Sequence, residues 1–234
     1  MARVRRKLKK VYSRNYNLKV VFCLPGRTFS NNFLQGWTIL NNWCMNNGIM
    51  PILSNQYDSV VYYVRNKCLG GSVTRGIDQK PFNGEVDYDY MMWIDSDMVF
   101  NPEDFLELLK MNVPIASGLY KTQNDTHYAT VKDWNMDHYR QNGSFEFLTE
   151  ESIEDLSEPF EVDYTGFGWI LIKKGVFESL EYPWFRPEWE DFGNGVMEFT
   201  SEDVGFCKNI KEKGYKIYVN PKVTVGHEKT KILR

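Results

Sequence analysis

The chain has 234 residues, 42% hydrophobic and 25% charged, which is enough to bury a real core as one large domain or one domain with a subdomain. No apolar run is long enough to span a bilayer, and no secretory signal pattern opens the chain. Cys23, Cys44, Cys68 and Cys207 are widely separated and form no CxxC pair, which excludes a disulfide frame or zinc site and fits reduced thiols in a cytosolic protein.

The net charge of −3 hides a strong asymmetry. Residues 1–57 hold nine Lys or Arg and no acid, so the remainder carries −12. The basic tail, residues 1–17, opens with MARVRRKLKKVYSR, which suits an anionic surface of lipid headgroups or nucleic acid. Val4, Leu8, Val11 and Tyr12 have helical spacing, as a basic amphipathic helix on a membrane would. A solvated tail explains the same residues equally well.

The first buried strand is expected over residues 18–24 (LKVVFCL), ending in the tight turn Pro25-Gly26-Arg27. Ser30 then caps a helix whose Phe33, Trp37, Leu40 and Cys44 share one face and which Gly48 stops. Residues 50–53 read as a weak strand, and residues 58–69 as a helix carrying Arg65 and Asn66, closed by Gly70-Gly71. Residues 91–94 (MMWI) lack alternation, as does a strand covered on both faces. Asn101, Pro102, Glu103 and Asp104 announce the next helix, and residues 113–119 a further strand. This alternation predicts a β/α layered fold with a mostly parallel sheet.

Beyond Tyr120 the pattern changes. Residues 127–134 and 145–148 read as short antiparallel strands joined by a turn at Gln141-Asn142-Gly143-Ser144. Residues 145–163 carry eight acids and no Lys or Arg, as a surface excursion would. Residues 161–165 and 170–172 are further strands, 202–213 a helix stopped by Gly214, and 215–219 and 223–225 the last strands. Residues 191–200 (DFGNGVMEFT) have the glycines of a lid that orders when a ligand arrives.

Asp95-Ser96-Asp97 falls just past the carboxyl end of the MMWI strand, the edge where ligands sit in open α/β sheets. Two carboxylates two residues apart on a loop suit a hard divalent cation, and equally a capping or turn role. Asp87-Tyr88-Asp89 repeats the spacing before the strand, where exposure would leave it inert. An EF-hand loop is excluded, because Val99 and Phe100 would stand where an oxygen ligand and a glycine are required. Ser201-Glu202-Asp203 opens the last helix, either as a favourable helix start or with one acid as a general base. His227, on the exit of the final strand, is either a lone surface histidine or a metal ligand.

In this order, the strand with Asp95-Ser-Asp97, Gly166-Phe-Gly-Trp169, Glu202-Asp203 and the run from Lys213-Gly-Tyr-Lys-Ile-Tyr218 to His227 resemble the GT-A nucleotide-sugar glycosyltransferases. The likeness is greatest to glycosyltransferase family 2 and the small bacterial and phage enzymes related to it. It implies a Rossmann-like α/β fold: a mostly parallel central sheet with helices on both faces and a small antiparallel addition toward the C-terminal half. A single domain over residues 18–234 would divide into a nucleotide-sugar-binding half, 18–120, and an acceptor and catalytic half, 121–234. The implied reaction is an inverting transfer of a hexose from a nucleoside-diphosphate sugar, a UDP-sugar first, to an acceptor hydroxyl, with Mn²⁺ or Mg²⁺.

The resemblance further implies that Asp97 ligates the metal, that Asp95 contacts the ribose and helps hold the cation, and that His227 completes the site. Arg65 would face the diphosphate, and Pro25, Gly26 and Arg27 would border the nucleotide. Asp203 would be the base beside Glu202. Gly166, Phe167 and Trp169 would lie on the acceptor side, and the protein would be cytoplasmic or peripheral to a membrane. The acceptor could be a glycan, lipid, protein or nucleic acid. Two alternatives stay open. One is a nucleotidyltransferase of similar fold, although LPGRTFSNNF is poor in the glycine and lysine such an enzyme wants after its first strand. The other is a nucleic-acid-binding protein, including a transferase acting on nucleobase hydroxyls.

Overall fold

Central strands in this chain are apolar on both sides because both sides are covered. The computed structural model describes residues 16–230. The candidate amphipathic helix of the basic tail lies outside the described residues. In β1 (Leu18–Pro25), Val21 and Cys23 enter one apolar layer, while Val20, Phe22 and Leu24 enter the other. Helix α1 (Asn31–Asn46) begins where the Ser30 hydroxyl accepts the Phe33 N–H at 3.1 Å, and it buries Phe33, Leu40 and Cys44 as their spacing predicts. Strand β2 (Ile49–Gln56) runs parallel to β1 and is longer than expected. Helix α2 (Val61–Cys68) is shorter than expected, because Val60 is still extended.

Strand β3 (Tyr90–Ile94) pairs parallel with the other side of β1, sending Met91 and Trp93 to one layer and Met92 and Ile94 to the other. A two-residue strand, β4 (Met98–Val99), leads into α3 (Pro102–Met111), where the Asp104 carboxylate accepts the Asn101 N–H at 2.8 Å. Strand β5 (Ile115–Leu119) is wholly buried.

The segment after Tyr120 departs from expectation. Residues 127–130 do pair antiparallel with residues 148–149, the Tyr128 N–H donating to the Leu148 carbonyl at 2.8 Å and the Leu148 N–H to the Thr130 carbonyl at 2.9 Å. The named strand is only β6 (Thr130–Val131), however, and the expected hairpin turn lies at the end of a helix, α4 (Met136–Asn142). Asn135 caps that helix through the His138 N–H at 3.0 Å, and Gly143 closes it at φ +67°. An Asn-Gly pair ends a helix through the same left-handed conformation that a hairpin turn uses. Helix α5 (Glu150–Ile153), β7 (Phe160–Val162) and β8 (Tyr164–Thr165) follow. The acids of this stretch find cations elsewhere: Glu150 meets Lys121 at 2.6 Å, Glu161 meets Lys216 at 2.7 Å, and Asp163 meets Lys211.

Strand β9 (Trp169–Lys173) inserts antiparallel between β3 and β5. Residues 191–200 span the end of β10 (Trp189–Asp191), the connection of a hairpin and its second strand, β11 (Met197–Phe199). Helix α6 (Glu202–Glu212) precedes β12 (Ile217–Thr224), a single strand with a register shift where two strands were expected. Last is β13 (Gly226–His227).

The main sheet has the order β2-β1-β3-β9-β5-β12-β7, in which only β9 and β7 oppose the other strands. Helices α2 and α6 cover one face and α1 and α3 the other. Small antiparallel pairs, β6 with β8, β10 with β11 and β4 with β13, complete the mixed α/β fold that the sequence predicts. Among the described residues no helix is long and apolar enough to cross a membrane.

Candidate functional site

The carboxyl ends of β1 and β3 bring two loops into contact. A Cβ on Gly26 would lie 2.7 Å from the Ser96 Cβ, so only glycine lets the Pro25-Gly26-Arg27 turn lie against the Asp95–Asp97 loop. Beside them opens a cleft of about 420 Å³. It is lined by all six residues expected to hold a donor, namely Pro25, Gly26, Arg27, Arg65, Asp95 and Asp97. Tyr57 and Asp58 also line it and carried no sequence signal. The exposed Arg27 guanidinium stands 5.6 Å from the centre of the Tyr57 ring and has no carboxylate partner among the described residues.

Arg65 departs from its expected role. Its side chain is only 4% exposed, and its guanidinium lies 5.2 Å from the Phe167 ring centre. Its Nε donates to Glu202 Oε1 at 3.0 Å and its Nη2 to Asp95 Oδ2 at 3.1 Å. Burial alone would lower its pKa, but the Asp95 and Glu202 charges outweigh burial and raise it, so the cation is permanent. Arg65 is therefore the counter-charge of two carboxylates. Glu202 is correspondingly no free base, because it is buried on Arg65, and burial followed by the Asp203 charge raises its pKa. Asp95 turns both oxygens to the guanidinium.

Asp97 and His227 do meet, although 130 residues separate them. Strand β13 pairs antiparallel with β4, setting His227 opposite Met98, and the imidazole Nε2 lies 3.1 Å from Asp97 Oδ2. On the other side of the ring, Nδ1 lies 2.6 Å from the Lys121 carbonyl oxygen. A carbonyl and an ionised carboxylate can each only accept, so both ring nitrogens donate in this arrangement, and a cation bound at Nε2 would stand in place of the proton directed at Asp97. A ligating histidine is held in this way by its outer partner. The Lys229 ammonium also reaches Asp97 Oδ2, at 2.7 Å. Burial works to raise the Asp97 pKa, but the hydrogen bonds and charges of His227 and Lys229 prevail and hold it at about 2.

The expected three-ligand set does not form. Among the described residues no group of three or more His, Cys, Asp or Glu side chains comes together as a metal site. A carboxylate and an oriented imidazole nonetheless fit a divalent cation that takes its remaining ligands from phosphate and water, as Mg²⁺ commonly does.

Asp203, at the start of α6, is half-buried. Tyr164 donates its hydroxyl to Oδ2 at 2.9 Å, the Val204 N–H donates to Oδ1 at 2.9 Å, and Ser201 also donates to Oδ1. The Ser201 hydroxyl thus supports Asp203 instead of capping the helix. Three of about four lone-pair positions on the carboxylate are used, which leaves one on Oδ2. The Asp203 charge acts on Arg65, Glu202 and the Tyr120 phenol, so the base candidate shares the electrostatic surroundings of the cleft.

The residues expected on the acceptor side are buried. Trp169 packs against Phe100 with ring centres 4.9 Å apart, and Phe167 lies under Arg65, so both belong to the core. A Cβ on Gly166 would fall 2.1 Å from the Tyr120 hydroxyl oxygen. The close approach that requires glycine is made by the protein's own tyrosine, whose hydroxyl accepts the Gly168 N–H at 3.1 Å. Trp184 and Phe185 are likewise core, whereas Trp189 is 57% exposed and pairs with Phe199 across the hairpin.

No protein-family model and no curated protein matches the chain. Among solved structures, A197 from STIV matches at a TM-score of 0.50 and 16% identity, over 93% of this chain and 97% of that one. The structure of GalNAc-T7 with UDP, GalNAc and Mn2+ matches at a TM-score of 0.47 and 12% identity. That match spans 92% of this chain but 44% of the other. At 16% identity the likeness to A197 is one of fold.

Proposed function

We propose that the protein is a glycosyltransferase that moves a sugar from a nucleoside-diphosphate donor, a UDP-sugar first, to an acceptor hydroxyl, with inversion and with a divalent cation. One observation carries this reading: Asp97 and His227, remote in sequence, lie 3.1 Å apart beside the cleft that holds the Pro25–Arg27 turn and Asp95.

Asp97 and His227 would hold Mn²⁺ or Mg²⁺, which when bound supplies positive charge against a departing diphosphate. Arg27 is the uncommitted cation of the cleft and would meet the same phosphates, with Tyr57 offering a ring to the base. Arg65 is a positioning residue that holds Asp95 and Glu202. Asp203 would accept the proton of the acceptor hydroxyl through its remaining Oδ2 lone pair as the acceptor oxygen bonds to the anomeric carbon. The bond from that carbon to the diphosphate oxygen breaks with its electron pair on the diphosphate. A single base opposite the leaving group gives one displacement, hence inversion.

The reading is tested by screening nucleotide sugars for Mn²⁺-dependent thermal stabilisation and slow donor hydrolysis, then adding acceptors to the best donor. Asp203→Asn is expected to abolish transfer while nucleotide affinity by calorimetry stays within about twofold. Lost nucleotide binding in that variant would make Asp203 structural, and no stabilisation by any nucleotide sugar would refute the assignment.

A further inference from the structure

A cavity larger than the cleft just described lies elsewhere on the described residues. It is an open groove of about 1110 Å³, lined by residues between 122 and 152 that flank β6, lie on α4 or run into α5. We infer that this groove binds the acceptor and that the acceptor is a neutral saccharide; the inference rests on the transferase reading and names the substrate it leaves open.

Three features point to that chemistry. One wall is aromatic, with half-buried Trp134, Phe145 and Phe147 lining the groove and the Trp134 and Phe145 ring centres 4.9 Å apart. The Trp134 ring offers both a face for sugar C–H groups and an indole N–H donor for a hydroxyl. The rest of the lining is rich in short polar and planar groups that donate and accept, among them Asn124, His127 and His138. Finally, three carboxylates, Asp133, Asp137 and Glu146, outnumber the two cations, Lys132 and Arg140. Arg140 is moreover engaged by Asp137 at 3.1 Å. Such a lining repels a polyanion, which sets nucleic acid aside, and its many polar groups would stay unpaired beneath an acyl chain.

The groove's lining adjoins the residues that hold both halves of the proposed reaction centre. Trp134 and Phe147 pack on the Tyr164 ring, with centres 6.2 and 6.3 Å apart, and the Tyr164 hydroxyl holds Asp203. At the other end Thr122 lines the groove and directly follows Lys121, whose carbonyl orients His227. A sugar seated on the aromatic wall is thus linked to the base through two side chains, Trp134 or Phe147 and then Tyr164.

The test uses the full chain without nucleotide or metal. Labelled protein is applied to an array of neutral glycans. Saturation-transfer NMR is recorded with chitotriose, maltotriose and cellotriose, and with the oligonucleotide dT10 as the polyanionic control. At least one neutral saccharide is expected to bind. Trp134→Ala is expected to weaken its affinity about tenfold and His138→Ala about threefold, each with an unchanged circular dichroism spectrum. No binding on the array, equal affinity in both variants, or preference for dT10 overturns the inference. Saccharide binding without any nucleotide-sugar stabilisation would overturn the transferase reading and leave the groove a carbohydrate site. Donor hydrolysis without saccharide binding would overturn the acceptor assignment alone.

Discussion

Strand β3 carries an aspartate pair at each end, and the two pairs have opposite fates. At its amino end, Asp87 is exposed and pairs with Lys19 and Lys174, while Asp89 accepts the Lys19 main-chain N–H at 2.7 Å. At its carboxyl end, Asp95 lies on a buried arginine, and Asp97 meets a histidine and a lysine from the far end of the described chain. The spacing is identical, so the motif itself distinguishes nothing. The difference lies in what the sheet brings to each end. In a parallel sheet the carboxyl ends of β1 and β3 open onto a shared crevice, whereas the amino end of β3 meets ordinary surface.

Removing the cation at the buried end is the strongest way to break this comparison. Arg65→Ala leaves Asp95 and Glu202 without their counter-charge, and chemical denaturation should show a loss of ~3–5 kcal/mol. Asp87→Ala should leave the unfolding midpoint where it was. Equal effects would mean that the two ends of β3 do not differ in kind. At the level of ligand binding, Asp97→Ala should abolish Mn²⁺-dependent thermal stabilisation while Asp89→Ala preserves it. Metal stabilisation surviving in Asp97→Ala would remove the cation from this loop.

The groups around the two sites allow finer tests. Gly166→Ala drives a methyl group into the Tyr120 hydroxyl, and overpacking of this kind costs ~1–3 kcal/mol. Adding Tyr120→Phe should recover part of that loss, since it removes the atom in collision. No recovery would show that the glycine answers to something other than Tyr120. The smallest effect belongs to Lys229, which competes with any cation for Asp97. Their ion pair is about 40% exposed on each side and is screened accordingly. Lys229→Ala should tighten Mn²⁺ binding by roughly twofold, in keeping with the ~0.2–1 kcal/mol of an exposed pair. Weaker metal binding would mean that the lysine assists the ion.

Much of this arrangement is legible in the linear chain. The unalternating LKVVFC and MMWI runs announce central strands, the Ser30 and Asn101 signals mark real helix starts, and Phe33, Leu40 and Cys44 share the buried face their spacing requires. The six expected donor residues line one cleft because all of them flank the carboxyl ends of parallel strands or the helix beside them. What the sequence hides is partnership. Nothing local says that Glu202 will hold Arg65 from 137 residues away, or that Lys229 will reach Asp97. Nor does a glycine reveal whether its open side faces a ligand or, like Gly166, a tyrosine of its own chain. The helix at Met136–Asn142 escapes the sequence for a more local reason: Asn-Gly serves a helix end as readily as a hairpin, and Asn135 tips the balance by capping.

The two-residue pairing of β4 with β13 has an architectural consequence. Main-chain hydrogen bonds, not side chains, set how far apart positions 97 and 227 stand, so the bracket holds its span whatever functional groups it carries. Exchanging the carboxylate at 97 for an imidazole, or the imidazole at 227 for a carboxylate, would change the hardness of the grip without altering its width. The fold thereby supplies a fixed frame in which ion preference can change by single substitutions while the surrounding sheet is left intact.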